Sequence, residues 1–547
     1  MSSDWWRGAV IYQIYPLSFC DSDGDGLGDL PGVLGRLDYV ASLGVDAIWL
    51  SPFFPSPLKD FGYDVADHCG VHPALGTLGH FDAIVEKAHR LGLKVMIDQV
   101  WSHTSDHHAW FRESRAGRDA AKADWYTWAD PRPDGGPPNN WLSVFGGGAW
   151  TWNPIRRQYY LHHFLSDQPS LNLRNEAVVE ALLGTARFWL DRGVDGFRFD
   201  AVDFMFHDPD LKDNPPRPPA DGEIPSRPFR LQYHLHDMMG AGTHEFLARI
   251  RALADEYGAV TLGEVSSEDG ALERCLAYSA PGEGKLHMAY TLGLMKRGFT
   301  PELFNDAFAL QARASEAGFC WAFSNHDVER AVSRWGGAKG GDRFGRLLMN
   351  LLLALPGTVC LYQGEELGLP QAKVPHDRMR DPYGAAFHPV FSGRDGSRTP
   401  MPWTMSARHA GFSAARTPWL PVSRAHRGRA VDMQEADPGS ILNSWRSALR
   451  WRRAHPELRM GRLHALSVPG QTLAFERFSG EGRVLAAFNF SAEPVTLDLS
   501  FGPPMTPIGG HGFAAVSPST VQLDAHGAVF ARAPAAHGCA DFTLAAE

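Results

Sequence analysis

Gly196-Phe-Arg-Phe-Asp-Ala-Val-Asp203 is a short apolar run that breaks into charge at its end. A helical pattern precedes it over 176–192 and another follows over 243–257, each with apolar residues at helical spacing. A strand set between helices in this way predicts a parallel sheet. The same unit recurs in both directions. Upstream lie Ala9-Val-Ile-Tyr-Gln-Ile-Tyr15, Ala47-Ile-Trp-Leu50 and Lys94-Val-Met-Ile-Asp98; downstream lie Val260-Thr-Leu-Gly-Glu264 and runs near 287–290, 320–327 and 359–365. About eight such strands close a TIM (β/α)8 barrel, the fold expected for the body of the chain. Further helices are expected over 31–43, 79–91 and 343–355.

Two stretches interrupt the alternation. Residues 104–172, rich in Trp, Pro, Gly and His, are too long for a structureless loop and predict a small inserted domain after the third strand. Residues 204–242 carry Pro209, Pro215, Pro216, Pro218, Pro219, Pro225 and Pro228 and predict a long loop beside the rim of the barrel. Past Pro456 the pattern changes to alternating segments such as Leu473-Ala-Phe-Glu-Arg-Phe478 and Val484-Leu-Ala-Ala-Phe-Asn-Phe490, which predict a C-terminal antiparallel β-sandwich. The expected division is a barrel over 1–103 and 173–456, an inserted domain over 104–172 and a C-terminal domain over 457–547.

Polar residues cluster where the apolar strands end. Strand three ends Asp98-Gln-Val-Trp-Ser-His103, strand four Arg198-Phe-Asp200, strand five at Glu264 and strand seven at Asn325-His326-Asp327. Any one of these alone reads as a cap, an ion-pair member or an ordinary hydrogen-bonded histidine. Their joint placement on one rim does not, because that rim is the active-site face of a TIM barrel. Paired carboxyls there suit glycoside cleavage, which needs one ionised group and one that donates a proton. Arg198, two residues before Asp200 and on the same side of its strand, can keep that carboxylate ionised.

These motifs, in this order, resemble glycoside hydrolase family 13, the α-amylase family. Gln168-Pro-Ser-Leu-Asn172 and Phe323-Ser-Asn-His-Asp327 belong to the resemblance. The opening over 5–16, Phe145-Gly-Gly-Gly-Ala-Trp150 and Arg394-Asp-Gly-Ser-Arg-Thr-Pro-Met-Pro-Trp403 resemble its α-glucosidase and oligo-1,6-glucosidase group, over essentially the whole chain. The resemblance implies that Asp200 attacks the anomeric carbon with retention, Glu264 is the acid/base and Asp327 binds hydroxyls of the distorted sugar. It also implies that His103 and His326 bind hydroxyls, that Tyr63 is a stacking platform, and that Asp64 binds the nonreducing end with Arg394 as its partner. Phe145 and Phe164 are candidate apolar walls. Ser170, Gln99 and Trp101 depart from commoner residues of the group and bear on specificity. Ala201 stands where the α-1,6-preferring members carry Val, so α-1,4 links such as that of maltose are expected. Oligo-1,6-glucosidase, trehalose synthase or sucrose isomerase chemistry uses the same covalent intermediate, and transfer to a hydroxyl competes with hydrolysis. A transporter-associated relative without catalysis is disfavoured by the intact Asp200, Glu264 and Asp327.

Asp21-Ser-Asp-Gly-Asp-Gly-Leu-Gly-Asp29 sets carboxylates at alternate positions around glycines, the pattern with which a loop wraps a hard cation. The expected ligand set is Asp21, Asp23, Asp25, Leu27 and Asp29. In family members with a similar loop the metal is structural: calcium, or sometimes magnesium.

The rest of the composition sets limits. A net charge of −10 disfavours nucleic acid and anionic lipid and leaves a neutral sugar as the expected partner. No apolar stretch approaches the about 18 residues of a membrane span. The N-terminus has no secretory pattern, so a cytoplasmic location is expected. The six cysteines, Cys20, Cys69, Cys275, Cys320, Cys360 and Cys539, lack paired or metal-type spacing and are expected to be reduced. Oligomeric state is not legible.

Overall fold

The computed structural model describes residues 4–219, 222–279, 285–313, 318–336, 341–480, 482–498, 506–517 and 520–533. Eight parallel strands form its centre: Val10–Ile14, Ala47–Leu50, Lys94–Gln99, Gly196–Phe199, Val260–Val265, Met288–Thr291, Cys320–Ala322 and Thr358–Tyr362. In this chain order they are barrel strands one to eight. Each pairs with its neighbours in sequence, strand eight pairs with strand one, and a parallel bridge between Ala289 and Phe319 joins strands six and seven to close the barrel. Gly196 opens strand four because the strands approach closely there; a Cβ would meet the Val260 carbonyl oxygen at 2.8 Å.

The helices between the strands follow the expected positions within a residue or two, as with Leu30–Leu43, Leu78–Arg90, Glu176–Leu190 and Thr243–Tyr257. Their caps explain where they start. Asp29, Thr77 and Asn175 each accept an amide of the first turn, satisfying donors that the helix itself leaves free. The apolar side chains divide between a cluster inside the barrel, with Trp49, Met96, Leu262 and Met288, and a larger one between barrel and helices.

The stretch 104–172 holds the helix Ala109–Ser114 and a three-stranded antiparallel sheet of Trp128–Ala129, Trp150–Asn153 and Gln158–Leu161. It has its own small core of Ala129, Trp141, Ala149, Trp150 and Leu161. The C-terminal unit is a six-stranded antiparallel sheet that begins at Arg462. Strand alternation sets Phe475, Phe488 and Phe530 against the barrel helices, and Ala474, Leu485 and Val529 into a cluster on the other face. Its last strand, Thr520–Ala533, pairs with three others along its length. Cys20, Cys69, Cys275, Cys320 and Cys360 are free thiols; Cys539, with the rest of 534–547, lies outside the described residues. Among the described residues no helix is long and apolar enough to cross a membrane.

Candidate active site

Strand register begins the site. Asp98 on strand three pairs across from Arg198 on strand four, and Glu264 on strand five across from Tyr290 on strand six. The fully buried Arg198 guanidinium donates to Asp98 Oδ1 at 2.5 Å and Asp200 Oδ1 at 2.7 Å, and its other terminal nitrogen stands 2.7 Å from Glu264 Oε1. The Tyr290 hydroxyl lies 2.8 Å from that same nitrogen and donates to Glu264 Oε1 at 3.0 Å, while Trp49 donates to the remaining Asp98 oxygen at 2.9 Å. Burial works against the Arg198 charge, but Asp98 and Glu264 outweigh it and the guanidinium stays protonated. One cation among three carboxyls leaves an excess of negative charge. Burial pushes the Asp200 carboxyl up, Arg198 pulls it down, and Glu264, Asp98 and Asp327 add to the rise, so it ends well above its usual range. Burial likewise raises Asp98 to about 6 despite Arg198.

The turn after strand four ties the two halves together. Ala201 takes a left-handed conformation, φ 43°, and its N–H donates to Glu264 Oε2 at 3.1 Å. Ser266 Oγ stands 3.4 Å from the same oxygen. Glu264 is thus surrounded by donors, whereas the Asp200 carboxylate is held by Arg198.

A second guanidinium closes one end of the pocket. Arg394 reaches Asp60 and Asp381 at 2.7 Å each and Asp327 at 3.3 Å; Arg398 donates to Asp327 at 2.7 Å. Burial opposes the Asp327 charge, but the Arg398 and Arg394 guanidiniums outweigh it and hold the carboxyl well below its usual range. Tyr63 stacks on His326 with ring centroids 5.1 Å apart. His326 takes the Gln13 amide at 2.8 Å on Nδ1, and its buried Nε2 stands 3.2 Å from Asp327 Oδ2. His103 is held by the Tyr63 carbonyl at 3.0 Å. Burial lowers both imidazoles, His103 to about 4, so both are neutral near pH 7.

Asp64 is not the partner of Arg394. Its fully buried carboxylate accepts Ser56 Oγ at 2.8 Å and the backbone amides of Lys59 at 2.8 Å and Asp60 at 3.1 Å, closing its own loop. Asp60 takes the expected place, with Gln168 donating to its second oxygen at 3.1 Å. The reason is local: Phe61 and Gly62 both take positive φ, and the resulting turn sends Asp64 back into the loop. Sequence reasoning also assigned no role to Asp98, Tyr290, Asp381 or Arg398. Asp98 and Arg398 stand inside quoted motifs and were within reach; nothing local to Tyr290 or Asp381 distinguishes either.

The cavity measures 1360 Å³ and is lined by Asp60, Tyr63, His103, Asp200, Glu264 and Asp327 at its charged end. Phe145 and Phe164 are half-buried walls of that space. Phe145 stacks on Tyr383 at 4.8 Å beside the Arg394 guanidinium, and Phe164 lies 5.2 Å from His103. Toward the mouth the lining becomes apolar: Ala201, Phe204 and Met238 pack together with Phe229 and Met239. Ion pairs of Arg217 with Asp269 at 2.7 Å and Arg230 with Glu268 at 2.8 Å tie the proline-rich loop to the loop after strand five.

In the acidic loop, Asp21, Asp23 and Asp29 converge, with a carboxylate oxygen of each within 4.8 Å of the others. The Asp25 carboxylate accepts the Leu27 N–H at 2.7 Å, and that of Asp23 the Asp25 N–H at 3.1 Å. Three hard oxygen donors fit calcium or magnesium rather than a softer metal. Asp21 also accepts Ser413 Oγ, and the Gly26 carbonyl accepts the Trp419 N–H at 2.9 Å, so this loop braces the segment that packs Trp419 against Tyr15, behind His326.

The α-amylase catalytic domain model matches residues 13–461. A probable alpha-glucosidase of Rhizobium meliloti is 51% identical over 538 residues, 97% of each chain, and an oligo-1,6-glucosidase of Heyndrickxia coagulans is 34% identical, covering 91% of this chain and 94% of its own. Among solved structures, an alpha-glucosyl transfer enzyme superimposes with a TM-score of 0.93 at 51% identity, covering 97% of this chain and 99% of that one. The trehalulose synthase of Pseudomonas mesoacidophila reaches 0.88 at 29% identity, covering 97% and 100%. A family match across most of the chain, carried by relatives this similar, shows that the chain belongs to the α-amylase family of glycoside hydrolases.

Proposed function

We propose that this protein is a retaining, exo-acting α-glucosidase that removes glucose from the nonreducing end of short α-1,4-linked glucosides such as maltose, and passes part of it to hydroxyl acceptors. The observation that carries the reading is Asp200 and Glu264 on the two terminal nitrogens of one buried guanidinium, facing a pocket closed at one end. Asp200 attacks the anomeric carbon as the glycosidic bond breaks, and Glu264 gives its proton to the departing oxygen. Glu264 then takes a proton from water or an alcohol, which displaces Asp200. Attack requires Asp200 ionised and a proton on Glu264. Asp327, His103 and His326 bind hydroxyls, and the Arg394 to Asp60 pair limits the site to one terminal glucose. The relatives named as α-glucosidases and as a glucosyl transfer enzyme support both hydrolysis and transfer.

A structural divalent cation, calcium or magnesium, on the loop of Asp21, Asp23, Asp25, Leu27 and Asp29 belongs to this reading, supported by the convergence of Asp21, Asp23 and Asp29. So does a cytoplasmic location, supported by the free thiols. The experiment is kinetic and stereochemical. Asp200→Asn and Glu264→Gln should each lower maltose turnover by several orders of magnitude with melting temperatures near native. NMR of the first product should show α-glucose. Near-native turnover, first-formed β-glucose or efficient starch cleavage would overturn the reading.

A further inference from the structure

Three residues past Asp200 the chain places a fourth carboxyl, Asp203, which is fully buried and does not line the cavity. Its Oδ2 accepts the backbone N–H of both Ser266 and Ser267 at 3.0 Å, and the Tyr278 hydroxyl stands 3.3 Å from Oδ1. Ser266 and Ser267 are the first two residues after strand five, Val260–Val265, whose second-last residue is Glu264. Asp203 thus fastens the end of the strand that carries Glu264 to the turn that carries Asp200.

The two donors around Glu264 Oε2 both come from the segments so joined, Ala201 N–H at 3.1 Å from one side and Ser266 Oγ at 3.4 Å from the other. Asp203 also fixes the mouth, since its backbone carbonyl accepts the Met239 N–H at 2.7 Å, where the proline-rich loop returns. A buried carboxylate is a costly way to fasten two loops if fastening is all that is needed, because its desolvation must be offset by hydrogen bonds. Two amides on one oxygen give what an apolar contact cannot, a fixed direction for the backbone that aims the neighbouring side chain.

We infer that Asp203 is a positioning residue for Glu264, holding the acid/base carboxyl at the angle from which it protonates the leaving oxygen. This rests on the reading of Glu264 as the acid/base. Leaving-group dependence separates such a role from a merely structural one. From maltose the leaving group is a second glucose, a poor alcohol leaving group that needs the proton; from 2,4-dinitrophenyl α-glucoside it is a stable phenolate that does not.

Asp203→Asn should lower kcat/KM for maltose about 10- to 100-fold, no more than the low end of the about 10²–10⁴ that general acid catalysis contributes. The dinitrophenyl substrate should be cleaved nearly as fast as by the native enzyme. Tyr278→Phe, which keeps the ring and removes the donor to Oδ1, should show the same bias at smaller size, and serves if Asp203→Asn does not fold. Equal losses on both substrates, or no loss on maltose, in a folded variant would overturn the inference. Glu264→Gln is the control: if it too lacks leaving-group bias, the acid/base reading of Glu264 fails, whereas bias there and none in Asp203→Asn removes only the role of Asp203.

Discussion

The two ends of the pocket are made from different kinds of structure. At the closed end the lining comes largely from barrel strand ends and from side chains that contact them: Arg198 is fully buried, Arg394 is 8% exposed, and each is shared among carboxylates. At the mouth it comes from the proline-rich loop and the segment before Arg394, where Tyr233 is 42% exposed, Leu235 64% and Val390 74%. Groups that must meet the reacting carbon within fractions of an ångström are over-determined by ion pairs on rigid strands. Groups that meet the departing or accepting part of the substrate sit on loops that tolerate change. Relatives that share this barrel and differ in the reaction they are named for fit that division.

The largest effect should come from breaking the closed end. Arg394→Ala leaves Asp60, Asp381 and Asp327 buried without their common cation, and truncating one partner of such a network costs about 2–5 kcal/mol in binding. Maltose kcat/KM should fall accordingly, with a loss of melting temperature from the uncompensated charges. Its acid limb should shift to higher pH, since Arg394 is one of the cations that keep Asp327 ionised against burial. Asp64→Asn, by contrast, should leave the pH profile and kcat/KM near native, because Asp64 bonds only within its own loop. A profile unmoved in Arg394→Ala, or moved in Asp64→Asn, would show the closed end wrongly drawn.

The same division decides what was legible in the sequence. Asp98, Arg198, Asp200 and Glu264 could be placed because each ends an apolar run, and runs alternating with helices specify the barrel and its rim together. Asp64 adjoins Tyr63 while Asp60 stands three residues before it, and only the positive φ at Phe61 and Gly62 decides that Asp60 is the one that faces Arg394. The acidic loop has the spacing of a cation site, and the fold adds that Asp21, Asp23 and Asp29 converge while the Asp25 carboxylate accepts the Leu27 amide. Tyr290 and Asp381 reach the site through strand pairing and a long connection, which no local pattern announces. The mouth was legible only as proline-rich. Its ion pairs, such as Arg217 with Asp269, are matters of fold and not of spacing.

A middle effect tests whether the closed end is braced from behind. With a cation on Asp21, Asp23 and Asp29, chelation removes a ligand of the native state alone, worth about 2.7 kcal/mol at a hundredfold excess over its dissociation constant. The melting temperature should drop and return on adding calcium. The rate at a temperature where the protein stays folded should change little, because the loop bonds Ser413 and Trp419 and touches no group that meets the sugar. An unchanged melting temperature after verified metal removal would dismiss the cation. A rate that collapses below the transition would extend the closed end to include this loop.

The smallest effect lies at the seam between the two ends, at Ala201. Its amide belongs to the closed end, donating to Glu264 Oε2, while its methyl packs with Phe204 and Met238 at the start of the mouth. Val at this position meets two costs. A β-branched residue is disfavoured at φ 43°, so Ala201→Val should lose some stability. Its stiff side chain also narrows the path of the departing sugar next to Phe164, which already leans on Phe204 at 5.0 Å. Narrowing of one methyl or two shifts selectivity by about 1–3 kcal/mol, a factor of about 10 to 200. The native enzyme should therefore prefer maltose to isomaltose, and Ala201→Val should move the ratio of their kcat/KM values toward isomaltose. Rates on dinitrophenyl α-glucoside, whose leaving group is flat and needs no proton, should fall far less than on maltose. A native preference for isomaltose would reverse the assigned linkage. A ratio unmoved in a folded variant would place linkage selection farther out, among Phe229, Tyr233 and the other side chains of the loop.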